Sequence, residues 1–185
     1  MKKEIIKFDY NKLKPLDIVH CAGKSPFARA TRIVTAGWKH RNDYGIAVHT
    51  GILVDFHGQL LIAEMQRKGL EINSLEKYNT IGGKRWVLKI TRPHIKDQYF
   101  SSDHIKKTVQ EQIALDRRKR LEYDNKGLFE FVFSKIKDDP NKNYCSEYVY
   151  ELTRFFILYP DTFKTKVSPR DFQKYFTDNI HWRKK

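Results

Sequence analysis

A chain of 185 residues, 40% apolar and 14% aromatic, is long enough for one hydrophobic core, and its 12 Phe, 10 Tyr and 3 Trp exclude a disordered polymer. Its 36 Lys and Arg against 22 Asp and Glu leave a formal charge of +14, shared by both halves of the chain, which excludes a basic tail on a neutral domain. Such a surface suits a polyanion or an anionic membrane; a lysine-rich composition with no such partner accounts for it equally well.

Residues 1–10 begin basic but lack the apolar stretch of a secretion signal, and no apolar run reaches the length of a membrane span. A cytoplasmic protein without a transmembrane segment is therefore expected. Residues 15–21, Pro15 to Cys21, read as a first strand. Ser25-Pro26 is a helix start, followed by Phe27, Ala30, Ile33 and Val34 at helical spacing and stopped by Gly37. Residues 45–56 and 59–66 are two β-rich runs around His57-Gly58, an X-Gly pair that predicts a hairpin, and residues 84–91 form another strand before Pro93. Ile105, Val109 and Ile113 mark one face of a helix after Ser101-Ser102-Asp103, with Leu121 continuing it. The other face carries Asp116-Arg117-Arg118-Lys119-Arg120, whose basic residues suit the end of a helix dipole. Residues 128–136 are Phe-rich and of no clear type. A helix capped by Asn143 and running to about Phe156 follows, and Ser168-Pro169 starts the last one. The expected architecture is α+β: a single domain over 1–185, with a small antiparallel sheet or half-barrel packed on helices and a basic helical insertion at about 101–121.

The two cysteines, Cys21 and Cys145, are too few for a disulfide framework and fit a reducing compartment. Cys145 falls in the first turn of its helix, where unpaired backbone N–H groups favour a thiolate and can hold an oxyanion. Buried cysteine is also simply a small apolar residue. A thiolate nucleophile needs a base. Of His20, His40, His49, His57, His94, His104 and His181, His49 stands out because it opens an apolar strand, where a polar side chain needs a partner or lines a site. If His57-Gly58 is a two-residue turn, Gly51 faces Glu64 and His49 faces Gln66. Glu64 is then the diagonal neighbour of His49 on the same face, and Gly51 leaves its carboxylate room to lean toward the ring. Asp17 and Gln66 are the alternatives for this third position. His20 and Cys21 are adjacent in a strand and point to opposite faces, so His20 does not serve Cys21.

In their order, these pieces resemble the circularly permuted branch of the NlpC-type papain-like cysteine hydrolases, the group that includes YiiX-like and LRAT-like proteins. The resemblance rests on Leu16-Asp17-Ile18-Val19, His49-Thr50-Gly51-Ile52, Glu64, Gly69-Leu70, Tyr123-Asp124, Tyr144-Cys145-Ser146-Glu147-Tyr148-Val149 and Ser168-Pro169-Arg170-Asp171-Phe172, and covers roughly residues 13–175. Leu16 departs from the family's usual Gly, and Val48 from its usual small polar residue. The resemblance implies a permuted papain-like fold and acyl chemistry on an amide, ester or thioester. In it Cys145 is the nucleophile, His49 the proton shuttle and Glu64 the orienting group.

No cofactor is expected, since no His/Cys spacing suggests zinc and Gly82-Gly83 lacks the pattern of a phosphate-cradling loop. The leading expectation is a cysteine hydrolase of the amidase or peptidase kind, acting on a peptide, amide or acyl substrate. A lipid acyltransferase or thioesterase of the LRAT-like kind is the enzymatic alternative. A basic nucleic-acid-binding protein is the non-enzymatic one, although no aromatic-basic signature of an RNA-binding sheet is present.

Overall fold

The hairpin predicted around His57-Gly58 is the centre of the sheet in the computed structural model, which describes residues 3–96, 102–119, 121–123, 142–164, 167–180 and 182–183. Strands β3 (His49–Phe56) and β4 (Gln59–Gln66) meet with Phe56 opposite Gln59 and Ile52 opposite Ala63. His57 and Gly58 both take positive φ, 53° and 79°, the type I′ geometry that matches strand twist. Outward from this hairpin lie β5 (Gly69–Asn73) beside β4, β2 (Ile18–Gly23) beside β3, and β7 (Arg85–Thr91) at the far edge. All these pairings are antiparallel. Strand β5 is an addition to the sequence expectation, which had only a glycine there. Two short strands, β1 (Glu4–Ile5) and β6 (Thr80–Ile81), pair beside the sheet.

Each face of the sheet has its own core. One gathers Val19, Leu53, Ile62, Val87 and Ile90 with Phe8, Leu75, Tyr78 and Trp182. The other packs Ile18, Ile52, Val54, Ala63 and Met65 against α2 (Ser102–Lys119), α3 (Cys145–Thr153) and α4 (Pro169–Tyr175). Helix α2 buries Ile105, Val109 and Ile113, as its spacing requires. Thus the basic segment at 102–119 is part of this second core on its apolar side. Asp116, placed by sequence on the solvated face, is instead buried and accepts hydrogen bonds from Tyr148 Oη at 3.1 Å and Gln112 Nε2 at 2.7 Å. Helix α3 stops at Thr153, three residues before the expected end. The Phe-rich stretch 128–136, Asp124 and His181 lie outside the described residues.

The first helix, α1 (Pro26–Ala36), has the expected bounds: Ser25 caps it by accepting the Ala28 N–H, and Gly37 ends it. Its inward face differs from the apolar spacing. Ala28, Thr31 and Arg32 are buried, because the Arg32 guanidinium donates to Gly23 O at 2.8 Å and Arg41 O at 3.0 Å and lies over the Tyr44 ring. This arginine closes the 37–45 segment onto the end of β2.

Leu16 explains one departure from the resembled pattern. Its φ is 75°, the left-handed region that glycine enters without strain. Leu16 holds that conformation by donating its N–H to Leu53 O at 2.7 Å and burying its side chain in the helical-side core. The next residue, Asp17, is buried and bonded to Arg92 through both carboxylate oxygens, at 2.8 and 2.9 Å. It also accepts the Lys14 N–H. These bonds assign it to tethering the start of β2 to the end of β7.

Gly51 has a different role from the one its register suggests. A Cβ there would meet Ile62 Cδ1 at 2.6 Å, Ile62 Cγ1 at 2.7 Å and Ala63 O at 3.1 Å, so Ile62 fills the space that had been assigned to Glu64. Gly51→Ala is therefore expected to destabilise the fold by about 1–3 kcal/mol. Ile62→Ala in the same chain should recover part of that loss relative to the sum of the two single changes. Urea midpoints of the three variants check this, and strictly additive effects would show that Ile62 is not what Gly51 accommodates.

Candidate active site

The site begins at a helix start. Strand β8 (Glu122–Tyr123) pairs in parallel with β9 (Lys142–Asn143), and the chain turns from β9 straight into α3. Because Asn143 belongs to β9, the N-cap is Tyr144, one residue later than the sequence suggests. Its extended backbone places Cys145 first in the helix, and the Glu147 carboxylate accepts the Tyr144 N–H at 3.3 Å. Ser146 fixes the start of the helix by donating to Val167 O at 2.6 Å. Cys145 is only 2% exposed, beside the positive end of the helix.

His49 lies at the opening of β3, opposite Cys21 on β2, and is buried. Its Nε2 is 2.5 Å from Glu64 Oε2. The Cys145 thiol lies close enough to the imidazole, whose Nδ1 is the nitrogen not bonded to Glu64, and to the Thr50 backbone for both to lower its pKa. The chain thus brings Cys145, His49 and Glu64 to one buried place, with the imidazole bonded to the carboxylate and the thiol near the ring.

Glu64 has no solvent exposure, and burial alone would protonate it. Its surroundings reverse that. Besides the His49 ring, it accepts hydrogen bonds at Oε1 from Asn73 Nδ2 at 2.8 Å and from the Tyr78 hydroxyl, and Arg85 Nη1 lies 3.8 Å from Oε2. The hydrogen bond and charge of His49, the Tyr78 hydroxyl and the Arg85 charge outweigh desolvation and hold the carboxyl at about 2. Gln66, the other residue weighed for the third position, donates to Tyr78 Oη at 2.9 Å and so supports the hydroxyl that supports Glu64.

The charge states of the other two follow. Burial and Arg85 push the His49 pKa down, but its bonds to Cys145 and Glu64 prevail and raise it. Burial pushes the Cys145 thiol up, and the His49 charge and hydrogen bond, the Thr50 N–H and Arg85 prevail and lower it. The two shifts favour a thiolate–imidazolium pair. Cys21 contrasts with this: burial drives its thiol well above the ordinary range, so two buried cysteines a strand apart are opposite in character.

The remaining histidines stand elsewhere. His20 Nε2 bonds to Thr91 Oγ1 at 2.8 Å, His40 pairs with Asp43 and His94 with Asp178, while His57 is in the hairpin turn and His104 on the exposed side of α2. Asn73, Tyr78 and Arg85 escaped the sequence reading. The one available signal was the need of a buried glutamate for several donors, which says that partners exist without naming them.

Glu64 also gives a pH-dependent stability. A carboxyl whose folded pKa is depressed stabilises the fold above its unfolded value, 4.5, and that contribution is lost as pH falls toward about 2. Melting temperatures of Glu64→Gln should therefore fall less than those of the unchanged protein between pH 5 and pH 2. Parallel declines would mean that Glu64 is not held ionised by the fold.

No family model matches the sequence, and no curated protein matches it. Among solved structures, the fold is similar to the crystal structure of metalloprotein YiiX from Escherichia coli O157:H7, DUF1105, with a TM-score of 0.52 and 16% identity. The match covers 78% of this chain and 66% of that one. At this identity the likeness concerns the fold: α+β, with antiparallel strands packed on four helices. The neighbour's name carries a metal. Among the described residues no group of three or more His, Cys, Asp or Glu side chains is arranged to hold one, and His49 Nε2 and both Glu64 oxygens are already engaged with each other, Asn73 and Tyr78.

Proposed function

We propose that this protein is a cysteine-dependent hydrolase of the papain-like kind that cleaves an amide or ester through Cys145, His49 and Glu64. The observation that carries this reading is the buried hydrogen bond between His49 and Glu64 beside Cys145, whose thiol pKa the ring lowers. A nucleophile, a base and an orienting anion in that order are what acyl transfer needs. The Cys145 thiolate attacks the substrate carbonyl and forms the S–C bond. The backbone N–H of Cys145, at the first position of α3 and without an acceptor among the described residues, is available to the developing oxyanion. His49 passes its proton to the leaving amine or alcohol, then takes one from the water that releases the acid and regenerates the thiolate. Glu64 holds the ring in place and stabilises its charged form.

A p-nitrophenyl ester tests this without knowledge of the natural substrate. Mass spectrometry should find the acyl group on Cys145, and p-nitrophenol release should vanish in Cys145→Ala and fall by about 100-fold or more in His49→Ala. Acylation of Cys21 instead, or turnover that survives Cys145→Ala, would remove the proposal. Acyl transfer to an added alcohol in preference to water would point to the acyltransferase alternative.

The pH dependence separates the role of Glu64. Without its charge, imidazolium is less stable, the His49 pKa falls and the Cys145 pKa rises. Iodoacetamide should then label Cys145 more slowly at neutral pH in Glu64→Gln, and the rate should climb at higher pH than in the unchanged protein. Coincident rate–pH profiles would make Glu64 a structural residue only.

A further inference from the structure

We propose that Arg85 is an anion-binding subsite beside Cys145, taking a carboxylate or similar oxyanion that the substrate carries next to the cleaved bond; this rests on the hydrolase reading above. Arg85 opens β7 opposite Gly23 at the end of β2. Its Nη1 lies 3.8 Å from Glu64 Oε2, the carboxylate bonded to His49, and its charge acts on Cys145, His49 and Glu64 together.

The hydrogen bonding of this guanidinium is unusual for the molecule. Glu64 Oε2 is 3.8 Å away, outside hydrogen-bond range, and that carboxylate is already bonded to His49, Asn73 and Tyr78. Among the described residues Arg85 donates no hydrogen bond. The other enclosed arginine, Arg32, donates to two carbonyls, and Arg92 grips Asp17 with two nitrogens. The Arg85 side chain is 27% exposed and none of its nitrogens is a buried donor left without a partner, so its unused donors are open to an incoming group. A planar fork of donors suits a carboxylate, and its position fixes that carboxylate close to the carbonyl under attack.

Two alkylating reagents test this. In both iodoacetate and iodoacetamide, sulfur displaces iodide: the S–C bond forms and the C–I bond breaks, with iodide leaving. Only iodoacetate carries a carboxylate; iodoacetamide is its neutral near-match in shape. Cys145 should react faster with iodoacetate than with iodoacetamide. Arg85→Gln should lower the iodoacetate-to-iodoacetamide rate ratio by about tenfold, the scale of one charge-assisted hydrogen bond. Arg117→Gln, which removes an equal charge from an exposed position on α2, should leave the ratio unchanged. In the unchanged protein, propionate should protect Cys145 from iodoacetamide and chloride at equal ionic strength should not, a result independent of how any variant folds. An unaltered ratio in Arg85→Gln, an equal slowing with both reagents, or no protection by propionate would each overturn the subsite. Failure of both reagents to modify Cys145 in the unchanged protein would instead overturn the hydrolase reading.

Discussion

A carboxylate with no solvent exposure lies at the heart of this molecule, and the arrangement around it follows from keeping it charged. Desolvating an isolated carboxylate would protonate it, and a neutral Glu64 would orient His49 poorly. Three elements converge on it to prevent that: β3 brings His49, the end of β5 brings Asn73 and the turn before β6 brings Tyr78, with Arg85 of β7 near. The carboxylate therefore sets where these strands and the turn between them sit relative to one another. Its bond helps to raise the His49 pKa, and the His49 charge in turn lowers that of Cys145.

What the sequence revealed and what it hid follow from the range of the interactions. His57-Gly58 is a local signal, and a two-residue turn fixes every pair in its hairpin, so the relation of His49 to Glu64 could be counted out from the turn. The face of α2 was legible for the same reason, from a period of a few residues. Asn73, Tyr78 and Arg85 come to Glu64 through the packing of a strand, a 3₁₀ turn and the far edge of the sheet, none of which carries a periodic mark. Asp116 was misplaced because a lone acid among basic residues looks solvated until Tyr148 arrives from another helix. Asn143 looked like a cap because it is a good one by type; its pairing in β9 moved the helix start by a residue. Gly51 was correctly placed opposite Glu64 and wrongly explained, since it is Ile62 that occupies the free volume.

The two buried cysteines show how far surroundings outweigh residue type. Both are enclosed, and both lie close to His49, one across the β2–β3 pair and one at its ring. Cys145 has the helix start, the ring and the Thr50 N–H to hold negative charge. Cys21 lies in the middle of a strand, where desolvation dominates. Two enclosed thiols can differ in ionisation with no difference in exposure.

The hairpin has a consequence for the order in which the chain assembles. His49 and Glu64 are 15 residues apart and joined through a tight turn, so their contact closes a short loop and has little entropic cost. Cys145 enters from far downstream, on a helix that must dock across the sheet. During synthesis the imidazole and its carboxylate can meet while the thiol is still unmade, and a chain cut short before α3 holds that pair without its cysteine. The three side chains come together only once α3 has docked, an order set by the position of Cys145 in the chain alone.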